Sequence, residues 1–290
     1  MIQQLAVLLA DPYLLTALVT ILGLLIGSFL NVVIYRLPIM MQREWEQECR
    51  AFLEIESQEI DETFNLSVPL SRCPFCNTPI KPYQNIPVLS YLLLKGRCAA
   101  CAHPIAIRYP LVEALTALLS AVVAWHFGDS PQTVFALLLT WVLIGLSFID
   151  LDHQLLPDTM VLPMVWVGLF LSVLGVYTDS FSSIIGAIAG YMTLWLVYQV
   201  FKLLTGKEGM GYGDFKLLAL FGAWLGWQYL PVIILLASLV AAIIGVTMIL
   251  LGKHDRNNPL PFGPYLAAAG WIALLWGGDF NRLYLTAAGL

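Results

Sequence analysis

Six residues of this chain have types and spacings that suit them to chemistry, and four of them are cysteines. Cys73 and Cys76 ("CPFC") and Cys98 and Cys101 ("CAAC") form two pairs of the same spacing with 21 residues between them. Four thiolates in two short knuckles can converge on a tetrahedral S4 cage, the geometry zinc favours, and two such pairs in so small a unit favour zinc over a redox dithiol. A closed S4 cage has no open position for substrate. Its expected role is therefore structural, contributing folding energy to a unit too small for a core of its own. Cys49 is left over and is expected to be an ordinary buried thiol.

The other two residues are aspartates. Asp150 stands in "FIDLDHQLLPD", directly after Ser147, Phe148 and Ile149, and Asp214 stands in "EGMGYGDFK", behind Gly209, Gly211 and Gly213. Carboxylates at membrane depth are costly and are functional candidates by default. The two lie 64 positions apart. If their helices pack together, they can share a proton and activate a water, one as general base and the other as general acid. That is aspartyl protease chemistry. Gly211 and Gly213 are the candidate substrate-binding positions, because glycines that adopt positive φ let an extended peptide backbone come close. Asp152, His153 and Asp158 have the alternative reading of interfacial loop residues, with Asp158 capping the next helix.

The elements that must hold these residues are spanning helices. With 59% hydrophobic and 11% charged residues and a mean hydropathy of +0.81, the chain is far more apolar than a soluble protein of 290 residues needs to be. A span takes about 20 apolar residues, and eight segments qualify, at 12–35, 109–127, 132–149, 159–177, 182–204, 215–230, 231–251 and 262–278. The expected fold is an all-α polytopic membrane protein of about eight transmembrane helices, with a small zinc-binding cytosolic domain inserted after the first. The expected division is a first transmembrane helix at 1–35, the cytosolic domain at 36–108 and a transmembrane domain at 109–290.

Positive residues set the expected orientation, since short loops rich in Lys and Arg stay cytoplasmic. Eight of the 14 fall between Arg36 and Arg108, none lies between 109 and 201, and Lys202, Lys207 and Lys216 bracket the glycine loop. The N-terminus is thus expected to be periplasmic, with segment 36–108 and the turns near 150–158, 205–214 and 252–261 cytoplasmic. The cysteines then sit in a reducing compartment, where disulfides are disfavoured. Residues 43–62 carry eight acids, with Trp45, Cys49, Phe52 and Ile55 at near-helical spacing, and read as a solvated amphipathic helix. A net charge of −5 with no basic stripe argues against nucleic acid as a partner.

Taken in order along nearly the whole chain, "GSFLNVVIYRLP" (27–38), the paired cysteines, "RYPLVE" (108–113), "FIDLDHQLLPD", "GMGYGDFKLLA" and "PFGPYLA" (261–267) resemble the prepilin leader peptidases of type IV pili and type II secretion. The Gly-x-Gly-Asp element is also similar to that of presenilin-type intramembrane proteases. The resemblance implies a bacterial inner-membrane enzyme with Asp150 and Asp214 as catalytic aspartates. Such an enzyme cuts a short basic leader from prepilins and pseudopilins on the cytoplasmic face. In members with the four-cysteine domain, it also implies methylation of the new amino terminus with S-adenosylmethionine, at residues that the sequence does not single out. Two other classes stand as alternatives: a metal-dependent membrane transferase using Asp150, Asp152, His153 and Asp158, and a proton-coupled transporter using the two acids as a relay.

Overall fold

The computed structural model describes residues 11–55, 64–251 and 260–287, with side chains as far as 279. The acidic residues 56–63, part of the turn at 252–261 and the side chain of Arg282 lie outside the described residues. The chain divides into two compact units, 1–129 and 130–290. Among the described residues every regular element is helical, as expected where a chain this apolar must satisfy its backbone groups within each segment.

The first unit is built on α1 (Pro12–Phe52), a short α2 (Leu89–Leu93) and α3 (Arg108–Phe127). Helix α1 opens on Asp11, whose Oδ1 accepts from the Tyr13 N–H at 2.9 Å, with Pro12 in the first helical turn. It then runs unbroken for 41 residues, through Pro38, so the apolar span and the start of the acidic segment are one helix. Small residues let α1 and α3 approach closely. A methyl group on Gly23 would lie 2.9 Å from the Ala117 Cα, and one on Gly27 would lie 2.7 Å from the Glu113 Cα. The Asn31 side chain donates across the pair to the Tyr109 carbonyl at 3.1 Å, the interhelical bond that an amide in a span favours.

The second unit contains α4 (Pro131–His153), α5 (Asp158–Val173), α6 (Ser180–Thr205), α7 (Tyr212–Leu225), α8 (Leu230–Leu250) and α9 (Gly263–Ala287). Helix α7 is its core: Asp214, Phe215 and every residue from Leu217 to Leu225 are buried. Gly186 on α6 and Gly222 on α7 meet backbone to backbone, with no room for a Cβ on either. The Trp224 indole N–H donates to the Met164 carbonyl of α5 at 2.7 Å, and the Ser183 hydroxyl of α6 to the Ala223 carbonyl at 2.6 Å. Helix α9 is tied to α4 by the Trp271 indole N–H, which donates to the Thr140 hydroxyl at 3.0 Å. Its Gly270 lies directly against the Phe221 ring of α7.

Eight long helices correspond to the eight apolar segments, and among the described residues five stretches, Pro12–Phe52, Arg108–Phe127, Pro131–His153, Ser180–Thr205 and Trp227–Leu250, are long and apolar enough to cross a membrane. Helices α5 and α7, at 16 and 14 residues, are only about 24 and 21 Å long, short of a hydrocarbon core of about 30 Å. Helix α7 owes its apolar composition to burial, with nearly every residue from Asp214 to Leu225 enclosed by protein.

The glycine contact between α6 and α7 yields a prediction. Gly222→Val would force the two backbones apart and lower stability by about 2–3 kcal/mol, read as a lower unfolding temperature in detergent. Gly128→Ala, whose added Cβ would meet nothing within 4 Å, bears only the strain of φ +60° and costs less.

Candidate active site and metal centre

Cys73, Cys76, Cys98 and Cys101 bring their sulfurs within 4.8 Å of one another. The Cys73 and Cys101 sulfurs are 3.8 Å apart and those of Cys76 and Cys98 are 4.0 Å apart. These distances exceed a disulfide's S–S length of about 2.05 Å. They match the edge, roughly 3.8 Å, of a tetrahedron of sulfurs around an ion at about 2.3 Å. The donor set therefore fits zinc.

The two knuckles are built alike. Residues 72–80 read "RCPFCNTPI" and 97–105 read "RCAACAHPI", each closed by a β-bridge, Arg72 with Pro79 and Arg97 with Pro104. In each, the first cysteine's N–H donates across the loop, from Cys73 to the Thr78 carbonyl at 3.0 Å and from Cys98 to the His103 carbonyl at 2.8 Å. Each turns through a residue of positive φ, Asn77 at 54° and Ala102 at 57°. Sequence reasoning found the cysteines and missed this nine-residue repeat, although the repeated Arg-Cys and Pro-Ile frames are its signal. Hydrogen bonding by Thr78 pulls the Cys76 thiol down to about 6, and the backbone N–H groups of Cys101 and Ala100 lower that of Cys98. Both shifts favour the thiolate that a metal requires. Cys49 is exposed near the end of α1 and not buried as expected, because that end of the helix has left the packed part of the unit.

Two contacts fasten the cysteine segment to its helices. The buried Arg36 of α1 donates to the carbonyls of Asn65 at 2.9 Å and Pro69 at 2.5 Å. Glu113 of α3, also buried, accepts from the Val88 N–H at 2.7 Å. That bond holds Val88 at φ 58°, a strained conformation for a β-branched residue. Glu113 therefore has a packing role, tying α3 to the cysteine segment.

In the second unit, Asp150 lies in the last turn of α4, 5% exposed, and Asp214 in the first turn of α7, 7% exposed. They are close enough for the charge of Asp150 to act on Asp214. Asp150 Oδ2 accepts from the Gly263 N–H at 3.0 Å, from the first residue of α9. The neighbours of Asp150 take other directions. Asp152 and His153 are exposed, and Asp158 receives the Lys216 ammonium on both carboxylate oxygens at 2.7 Å, joining the starts of α5 and α7. Asp158 thus does not cap α5, whose N-cap is Pro157. Among the described residues the cysteine cluster is the one group of three or more ligating side chains placed to hold a metal.

The glycine loop departs from expectation. None of Gly209, Gly211 and Gly213 has positive φ; that conformation falls on Gly206, where α6 ends. Gly211 is extended, at φ −81° and ψ 150°, as the N-cap of α7, and a Cβ there would meet nothing within 4 Å. Gly213 is helical, and its open face is filled by Leu156. Lys202 clips the loop through Glu208 at 2.8 Å and holds that carboxyl below its usual range.

Comparison with known proteins follows the two units. Residues 21–127 match the family described as "Bacterial Peptidase A24 N-terminal domain", and residues 137–246 match the "Type IV leader peptidase family". Proteins named "Prepilin leader peptidase/N-methyltransferase" align with nearly the whole chain. The relative from Aeromonas hydrophila is 58% identical over 276 residues, 95% of both chains. That from Pseudomonas aeruginosa is 56% identical over 269 residues, 93% of both. That from Legionella pneumophila is 44% identical over 280 residues, 97% of this chain and 98% of its own. No solved structure shows a significant match.

The purified protein is predicted to carry one zinc ion per chain, measured by elemental analysis. Cys76→Ser or Cys98→Ser should lose it, and Cys49→Ser should keep it. Since protons compete for the thiolates, the ion should be retained at pH 7 and released on acidification.

Proposed function

This chain belongs to the type IV leader peptidase family, and we propose that it removes the leader from type IV prepilins and type II secretion pseudopilins by aspartyl protease chemistry at Asp150 and Asp214. The observation that carries this reading is that two buried carboxylates, 64 positions apart in sequence, stand at the end of α4 and the start of α7, close enough for the charge of one to act on the other. Two acids in one apolar site hold a proton between them. The ionised carboxylate takes a proton from water, and the resulting hydroxide attacks the scissile carbonyl carbon. The protonated carboxyl donates to the carbonyl oxygen. Collapse of the tetrahedral intermediate breaks the C–N bond, with a proton delivered to the leaving amine. We assign binding of the scissile segment to Gly211, which is extended and bordered by open space, and to Gly213, the helical residue directly before Asp214.

The same reading places the enzyme in the bacterial inner membrane, with its aspartates at the cytoplasmic face. The support is the clustering of Lys202, Lys207 and Lys216 around the glycine loop and the absence of Lys and Arg from 109 to 201. The cysteine unit would hold zinc through Cys73, Cys76, Cys98 and Cys101, fixing the two knuckles relative to each other. The chain's second proposed reaction is methylation of the new amino terminus with S-adenosylmethionine as donor, an activity that the relatives' names carry. The transferase alternative built on Asp150, Asp152, His153 and Asp158 loses its ligand set, because Asp158 is paired with Lys216 and these residues do not gather around one point.

Cleavage of a leader-bearing prepilin by membranes containing each variant tests the reading. Asp150→Asn and Asp214→Asn should each lose at least about 100-fold in rate, the scale of general acid–base catalysis. Asp152→Asn should retain most activity. Methyl transfer to pre-cleaved substrate should persist in both inactive variants.

A further inference from the structure

The segment "PFGPYLA" at the start of α9 has no part in the chemistry described so far, yet it supplies the one hydrogen bond to Asp150 that spans the greatest chain separation. The Gly263 N–H donates to Asp150 Oδ2 at 3.0 Å across 113 residues, in a buried setting. No other residue type fits there without movement. A Cβ on Gly263 would stand 2.6 Å from that same oxygen, 3.1 Å from the Asp150 Cγ and 3.3 Å from the Leu156 Cδ1.

Leu156 is the second member of the arrangement. It lies between α4 and α5, 8% exposed, with its side chain against the backbones of two glycines. One is Gly263, which holds Asp150. The other is Gly213, next to Asp214, where a Cβ would lie 2.8 Å from the Leu156 Cβ and 3.1 Å from its Cδ1. A single aliphatic side chain thus fills the space between the backbone that anchors one aspartate and the backbone that carries the other. Helix α9 is itself fixed against both aspartate helices, on α4 through Trp271 and Thr140 and on α7 through Gly270 and Phe221.

From this geometry we infer that Gly263 and Leu156 are positioning residues for the aspartate pair, a claim that rests on the assignment of Asp150 and Asp214 as the reacting groups. The Gly263 N–H pins Oδ2, so the carboxyl cannot exchange its two oxygens and presents Oδ1 to the water and to the partner acid. Leu156 sets the separation between the two carboxyls. Gly263 contacts Asp150 and Leu156, so its effect falls on turnover, whereas Leu156 also borders Gly213 and acts on KM as well as on kcat.

The experiment is steady-state cleavage of a prepilin by the full-length enzyme in detergent or membranes, with Gly263→Ala, Leu156→Ala, the double variant and Asp150→Asn side by side. A shift of the carboxyl by about 1 Å costs roughly 100-fold in rate. Gly263→Ala is therefore expected to lower kcat by about that factor with KM within about two-fold of wild type. Leu156→Ala should lower kcat at least about ten-fold, whatever its effect on KM through Gly213. In the double variant the close approach of the new methyl group to Asp150 Oδ2 remains, so kcat should be no higher than that of Gly263→Ala alone. Wild-type kcat in Gly263→Ala, with Asp150→Asn inactive, overturns the positioning claim and leaves the aspartate pair standing. Cleavage by Asp150→Asn overturns the pair itself. If Gly263→Ala does not fold, Leu156→Ala decides alone, and wild-type kcat there overturns the claim.

Discussion

A carboxylate taken out of water into an apolar helix bundle is unfavourable by several kcal/mol unless something in the bundle answers it, and the second unit buries two of them. Asp150 is answered by a backbone N–H from Gly263. Asp214 stands in the first turn of α7, where a helix's N-terminal partial charge favours an acid. Much of the unit's packing serves to bring these two answers to one place. Helix α7 has to be buried on nearly all sides, and α6, α5 and α9 close around it through glycine contacts and indole and hydroxyl hydrogen bonds. A helix of this kind needs only 14 residues and no lipid-facing surface, which is why it is too short to read as an ordinary span.

The first unit solves a different problem by a different route. Its residues 64–107 contain short turns and no long helix, and most of their large apolar side chains, Leu70, Phe75, Leu92 and Leu93 among them, are exposed. Four sulfurs gathered within 4.8 Å supply the cross-link such a segment lacks, and the two knuckles reach that arrangement by repeating one local fold. Arg36 and Glu113, two buried charges, then fasten the segment to α1 and α3 by bonding to its backbone. The charges are expressed as hydrogen bonds to peptide groups and not as ion pairs.

Much of this was legible in the sequence, because it depends on composition or short spacing. The apolar segments, the two Cys-x-x-Cys pairs and the unusual position of two aspartates are local signals, and each corresponds to a helix or a cluster in the structure. What spacing could not show is contact between distant parts of the chain. Gly263 was visible only as a glycine between Pro261 and Pro264 in a motif without a role. Lys216 looked like an orienting charge and proved to be the partner of Asp158, 58 positions away. The glycines before Asp214 suggested a left-handed loop. In fact Gly213 continues the helix, and its missing side chain makes room for Leu156, a packing reason that no periodicity reveals. Cys49 followed the general burial tendency of free thiols, which does not hold at the far end of a helix that extends beyond its packing partner.

The central claim is that Asp150 and Asp214 act together on one scissile bond. The most direct measurement is an experimental structure of this chain with a leader-peptide analogue in which a hydroxyethylene group replaces that bond. The account predicts the tetrahedral hydroxyl between the two carboxyls, within hydrogen-bond reach of each at about 2.6–3.2 Å. A bound analogue whose hydroxyl meets only one of them, or neither, contradicts it.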